Sequence, residues 1–206
     1  MEQVELKQAS RKLVLIGASA GGPMVISHIL RELPADLPGI VIVQHMSNGF
    51  SQKLAEYLDS KCALKVKESS NYEVICNGNV YIAPNGCHLI IRRGKDGYYQ
   101  MLEAGPKEHG VCPSVDHLFR SAVCAGENAL GILLTGMGKD GAEGLLQLRK
   151  SGAATVCQEE AECPFASMPR EAKKAGGVQE ELPLPLIIKK IIKFSEGKDK
   201  LCGKEF

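Results

Sequence analysis

The sequence has no tryptophan, only 5% aromatic residues and no excess of either charge, with 25 Lys+Arg against 24 Asp+Glu. That balance removes the electrostatic footprint of a nucleic-acid binder or of a protein drawn to anionic membranes. The apolar runs, "LVLI" and "GIVIV" among them, fall far short of the ~18–20 residues that span a bilayer, so no membrane insertion is expected. The opening "MEQVELKQASRK" has no apolar stretch of the kind a secretory signal needs. Cysteine is not scarce, but its pairing is: residues 62, 76, 87, 112, 124, 157, 163 and 202 include no C-x-x-C. Zinc sites are usually built from such close pairs. The thiols therefore read as reduced, many of them small apolar fillers, in a cytoplasmic protein that needs no metal or cofactor.

What is present is a globular composition, 44% hydrophobic and 24% charged over 206 residues, enough to bury one domain-sized core. Short apolar runs alternate with helical patterns. Residues 12–16 and 39–43 read as buried strands. Between them Val25, Ile26, Ile29, Leu30 and Leu33 share one helical face, opposite His28, Arg31 and Glu32. Residues 51–60 look helical. "GNVYIAP", "HLIIRR" and "YYQML" read as short strands with a hairpin around residues 94–97. Helices are then expected over 113–125, 140–152 and 168–177, with strands at 129–135 and 153–158. Ile187, Ile188, Ile191 and Ile192 mark a last amphipathic helix. The alternation predicts an α/β fold: a mostly parallel sheet covered by helices on both faces, with the hairpin as an antiparallel excursion.

In such sheets reactive groups gather beyond the carboxyl ends of the strands, which directs attention to three segments. "GASAGG" sets Ser19 in a G-x-S-x-G context, where small neighbours allow a sharp strand-to-helix turn and a helix N-terminus offers free N–H groups. A phosphate or dinucleotide loop, or an N-cap serine, is the plainer reading of the same turn, although G-x-G-x-x-G and the Walker lysine are absent. His45 follows the second strand and, in company with Ser19, is a candidate general base. His28, His88, His109 and His117 have weaker positions. The tetrapeptide "GKDG" occurs twice. Asp96 lies in the hairpin, where the glycines are expected to supply φ > 0 and the aspartate to be dispensable. Asp140 follows a buried strand and opens a helix on the same edge as Ser19 and His45. An N-cap is its plainer role, and the third member of a triad the sharper one.

Six blocks in order, "LVLIGASAGGP", "VIVQHM", "VYIAPNGCHL", "CPSVDHLFRSA", "GILLTGMGKDGAEGL" and "MPREAKKAGGV", resemble the catalytic domain of CheB-type chemotaxis protein-glutamate methylesterases over about residues 12–195. The resemblance implies a three-layer α/β/α sandwich, with Ser19 as nucleophile, His45 as base and Asp140 as its carboxylate. It also implies an oxyanion role for the backbone N–H of Met137, which the N–H of Ala20 at the serine turn is expected to share. The implied activity is hydrolysis of glutamate γ-methyl esters on the cytoplasmic helices of methyl-accepting chemoreceptors, with glutamine deamidation beside it. A non-catalytic receptor-binding module of the same fold is the alternative. Ala20 stands where many members carry threonine, and "SNG" replaces a Pro-rich segment after "HM". Residues 1–11 are too few for the receiver domain common in the family. The chain is thus expected to be a stand-alone esterase or the excised catalytic part of a longer protein, with flexible termini at 1–11 and 196–206, and a separate regulatory partner is allowed for.

Overall fold

Both apolar runs near the N-terminus form strands in which every residue is buried, Leu13–Ala18 (β1) and Gly39–Gln44 (β2), joined by the helix Gly22–Arg31 (α1). The computed structural model describes residues 8–197. The chain continues through Ser51–Asp59 (α2), Lys65–Glu68 (β3), Glu73–Val74 (β4), Asn79–Ile82 (β5), His88–Arg93 (β6) and Tyr98–Glu103 (β7). Val115–Ser121 (α3), Ala129–Leu133 (β8), Ala142–Lys150 (α4), Ala154–Gln158 (β9), Ser167–Lys174 (α5), Glu180–Leu182 (β10) and Leu184–Ser195 (α6) complete it.

Seven strands form one sheet in the order β10-β9-β8-β1-β2-β5-β3, and every pairing in it is parallel. β4, β7 and β6 form a separate antiparallel sheet. The expected excursion therefore exists, but "NVYI" belongs to the parallel sheet and not to the hairpin. Successive β1 residues point to opposite faces. Val14, Ile16 and Ala18 pack with α1, α2 and α6, whereas Leu13 and Leu15 pack with α3, α4, α5 and the small sheet. Helices on both faces give the three layers. Burying each of these Leu and Ile side chains contributes about 1.5–3 kcal/mol, so β1 and β2 anchor both cores at once. No described helix is long and apolar enough to cross a membrane.

Several boundaries differ from the sequence pattern for local reasons. The expected helix over 113–125 stops at Ser121 and continues as a 3₁₀ segment, Ala122–Asn128, that breaks at Gly126 (φ 52°, ψ −130°). Residues 8–11, expected to be a flexible terminus, are tied down: Ala9 bridges to Cys76, and Ser10 is fully buried with its Oγ accepting the Gly39 N–H at 2.9 Å. Residues 1–7 and 198–206, where flexible ends were also expected, lie outside the described residues. The turn at 94–97 closes with a bond from the Gly94 N–H to the Gly97 carbonyl (2.8 Å), yet neither glycine has left-handed φ. Gly97 is needed for space instead, because a Cβ there would come within 2.6 Å of the Ser10 carbonyl.

The α3–α4 contact is the closest helix approach that matters to the site. A Cβ on Gly144 would lie 2.8 Å from the Asp116 carbonyl oxygen and 2.9 Å from both Asp116 Cα and Phe119 Cβ. Backbone cannot yield as a side-chain tip can. Gly144→Ala is therefore expected to destabilise the protein by about 1–3 kcal/mol, the usual range for overpacking. Urea unfolding should show a lower midpoint at unchanged slope.

Candidate active site

The sheet order reverses at β1. From β1 the chain steps to β2 on one side, whereas β8 lies on the other side and leads outward to β9. Crevices in open α/β sheets form at such switch points. Hydrogen bonds beyond the strand ends fix the loops there: Leu134 N–H to Gly17 carbonyl (2.9 Å), Ser19 N–H to Thr135 carbonyl (3.0 Å) and His45 N–H to Ala18 carbonyl (3.0 Å). Ser19 is thus held between the loop after β2, which carries His45, and the loop after β8, which leads to Asp140.

His45 and Asp140 are brought together. His45 Nε2 lies 2.8 Å from Asp140 Oδ2, with side chains only 10% and 4% exposed. Asp140 is not the N-cap of its own helix, where Gly141 (φ 92°) takes that place. It caps a different one. Oδ2 also accepts the Val115 N–H (2.7 Å), while Oδ1 accepts the Ser114 hydroxyl (2.7 Å) and the Asp116 N–H (3.1 Å). These donors stand at the start of α3, where free N–H groups and the helix dipole favour an anion. Burial opposes ionisation of Asp140, but the hydrogen bonds from His45, Ser114 and Val115 outweigh it and hold the carboxyl below its ordinary range. An ionised carboxylate only accepts hydrogen bonds. The imidazole proton is therefore on Nε2, and the lone pair is left on Nδ1.

Asp116 returns the favour. From the first turn of α3 its Oδ1 accepts the Gly144 N–H at the start of α4 (2.6 Å), and its Oδ2 lies 3.2 Å from His109 Nε2. Burial pushes its carboxyl up, as does the neighbouring Asp140 charge. Neither Ser114 nor Asp116 was singled out from the sequence. "PSVD" carries an N-cap serine signal, but nothing in it shows that the cap would be shared with a residue 26 positions on.

Ser19 is half-buried and is not the N-cap of α1, a position held by Gly21 (φ 80°). Among the described residues its hydroxyl has no hydrogen-bond partner, and the N–H groups of Ala20 and Met137 donate to no acceptor. Thr135 Oγ1 supports the turn from beneath, 3.1 Å from the carbonyls of both Ala20 and Phe165. A cleft of about 330 Å³ opens beside His45, lined also by Met46, Asn85, Lys107, Val111 and Cys112, but by neither Ser19 nor Asp140. Burial pushes the Cys112 thiol up, so it offers no thiolate to compete with the serine.

The other histidines stay outside this constellation. His88 and His117 stack with ring centres 3.7 Å apart, and His117 Nδ1 lies 2.6 Å from Glu108 Oε2. Glu108, His109 and Asp116 could bring three ligand atoms together, all within 4.8 Å of one another. Glu108 is already ion-paired to Arg120, however, and Asp116 holds the start of α4. A cation there would meet a guanidinium at one ligand and break a cap at another. Asp96 is exposed in its turn, and the adjacent Gly97 lies against Ala9 and Ser10, ahead of β1 rather than beyond its carboxyl end.

The CheB methylesterase family model matches residues 14–191. This chain belongs to the CheB methylesterase family. The protein-glutamate methylesterase/protein-glutamine glutaminase of Ralstonia nicotianae is 48% identical over 177 residues, 85% of this chain and 46% of that protein. A second protein of that name, from Bordetella avium, is 47% identical over 186 residues, covering 89% of this chain and 53% of its own length. The chain thus spans about half the length of the curated relatives it matches. The crystal structure of the Thermotoga maritima CheB methylesterase catalytic domain aligns with a TM-score of 0.85 at 35% identity, over 88% of this chain and 97% of that one. In this CheB methylesterase family member the position after Ser19 is Ala20, so among the described residues the hydroxyl bonded to that turn comes from Thr135, through the Ala20 carbonyl.

The Asp140 environment sets a pH dependence of stability. Its folded-state pKa lies below the ordinary aspartate value of about 3.9. Its contribution is therefore complete at pH above that value and disappears as pH falls through the lower folded-state value. Asp140→Asn should be less stable than wild type at pH 7, with the gap closing below about pH 4. Urea midpoints measured at stepped pH would check this, and a gap constant down to pH 2 would contradict it.

Proposed function

We propose that this chain is a serine carboxyl-ester hydrolase that removes methyl groups from glutamate γ-methyl esters, releasing methanol. The observation that carries the reading is the 2.8 Å His45–Asp140 hydrogen bond beside Ser19 at the sheet's switch point, in a chain of the CheB methylesterase family. Ser19 Oγ attacks the ester carbonyl while His45 Nδ1 takes its proton. Asp140 holds Nε2–H and supports the imidazolium. The N–H groups of Ala20 and Met137 receive the oxyanion. The imidazolium then protonates the departing methoxide, and an acyl-serine ester remains. Water, deprotonated by the same Nδ1, attacks that ester, releases glutamate and restores Ser19.

The same steps release ammonia from a glutamine side-chain amide, the second activity in the relatives' name. The substrates we propose are the cytoplasmic helices of methyl-accepting chemoreceptors, which places the chain in the cytoplasm. No metal or cofactor enters the reaction as written, because the imidazole handles every proton and the backbone N–H groups hold the charge.

Methyl-labelled receptor incubated with the chain should release labelled methanol, and Ser19→Ala should abolish that release. A fluorophosphonate should modify the protein once, at Ser19. Label spread over several serines would defeat the assignment. The two "GKDG" copies give an internal control. Loss of the carboxylate costs about 10⁴ in kcat in one well-studied triad, so Asp140→Asn should lose at least ~10²-fold with the fold retained. Asp96→Asn, in an exposed turn, should change activity less than about twofold. Equal losses in the two variants would overturn the role given to Asp140.

A further inference from the structure

Gln44 ends β2 and is only 2% exposed, so a polar amide is enclosed at the edge of the core. It shares a strand face with Ile40 and Ile42, the side covered by α1. Its Nε2 donates to the Ser19 carbonyl (2.8 Å) and to the His45 carbonyl (2.7 Å). Its Oε1 is buried with no partner. The reverse orientation of the amide would set an oxygen against both carbonyls, so the two acceptors decide which way it points. One planar NH₂ group thus bridges the main chains of two residues that follow different strands.

The glycine at the start of α1 makes room for this amide. A Cβ on Gly22 would lie 2.0 Å from Gln44 Oε1 and 3.0 Å from its Cδ. The Gly22 N–H also donates to the Ser19 carbonyl (2.9 Å). The last glycine of "GASAGG" therefore has a steric reason of its own, independent of the turn.

We infer that Gln44 is a positioning residue: its amide clamps the Ser19 turn to the His45 loop, and Gly22 keeps the space that lets it do so. The inference rests on the esterase reading for its catalytic consequence, though not for the clamp itself. A residue that merely filled space would be replaceable by an apolar side chain of the same length. A clamp would not, because both carbonyls lose their shared donor and the two loops are left, among the described residues, with the single His45 N–H bond to the Ala18 carbonyl between them. Errors of about 1 Å between reacting groups can cost on the order of 10²-fold in rate.

The test compares Gln44→Met, which keeps the volume and removes the donors, with Gly22→Ala, which keeps the glutamine and displaces it. Methanol release, the rate of fluorophosphonate labelling at Ser19, thermal melts and amide hydrogen exchange would be measured on each. The expected result is a fall in kcat of roughly tenfold or more with KM within about twofold. Labelling should slow in parallel, and exchange should rise in residues 17–22 and 44–47 alone. Wild-type kcat, labelling and exchange in either folded variant would overturn the clamp. If one variant does not fold, the other carries the same readouts. Global unfolding of both would make Gln44 and Gly22 packing residues and would also overturn it. If wild type is neither labelled nor releases methanol, the esterase reading falls, and hydrogen exchange alone decides the clamp.

Discussion

Two carboxylates crossing between α3 and α4 hold this edge of the protein together. Asp140, just ahead of α4, takes the first N–H groups of α3, and Asp116, in the first turn of α3, takes an N–H at the start of α4. Each helix has orphan donors at its N-terminus, and each supplies the acceptor for the other. The arrangement needs the helices close, which Gly144 permits, and it needs both acids buried, which alone would raise both pKa values. They diverge because Asp140 collects the imidazole and a hydroxyl in addition to backbone donors, whereas Asp116 sits in the field of Asp140. A buried acid held ionised is thus a by-product of how two helices start.

The parallel sheet explains why such a pair faces a serine. All strands of the large sheet run the same way, so the loops after β1, β2 and β8 emerge at one edge, and the order reverses at β1, the kind of switch point where such sheets bind ligands. Ser19, His45 and Asp140 are 26 and 95 positions apart in successive steps of the chain, yet each needs only to follow its strand by a few residues. Main-chain hydrogen bonds past the strand ends convert that rough proximity into fixed positions.

This logic was legible in the sequence where strand, turn and helix signals coincide. Ser19, His45 and Asp140 each follow a continuous apolar run, and such runs in alternation with helices imply a parallel sheet. Less was legible where the signal depends on a distant partner. "KVKE", "EV" and "EEL" form strands although they are short and charged, because they lie at sheet edges and borrow order from a neighbour. Asp140 reads as the cap of the helix it precedes, and only the fold shows that it caps another. The glycines of the hairpin turn suggest left-handed backbone, but neither has it, and what Gly97 answers is crowding by Ser10. Gln44 is visible only as a polar residue closing an apolar run, and its partners lie on two separate loops.

The two apolar clusters share no residue, since the sheet divides them. Ser19 leads into α1, which belongs to one cluster, while Asp140 leads into α4, which belongs to the other. The sheet therefore acts as a partition wall with a common rim. Packing defects on its two sides have no side-chain neighbours in common, so their free-energy costs should add as those of independent sites do. The two compartments still share the backbone of β1 and β2, whose alternate residues belong to one cluster and the other, and they meet again at the rim, where main-chain bonds join Gly17, Ala18 and Ser19 to Leu134, His45 and Thr135. It is that rim, more than either core alone, that sets the serine turn against the acid.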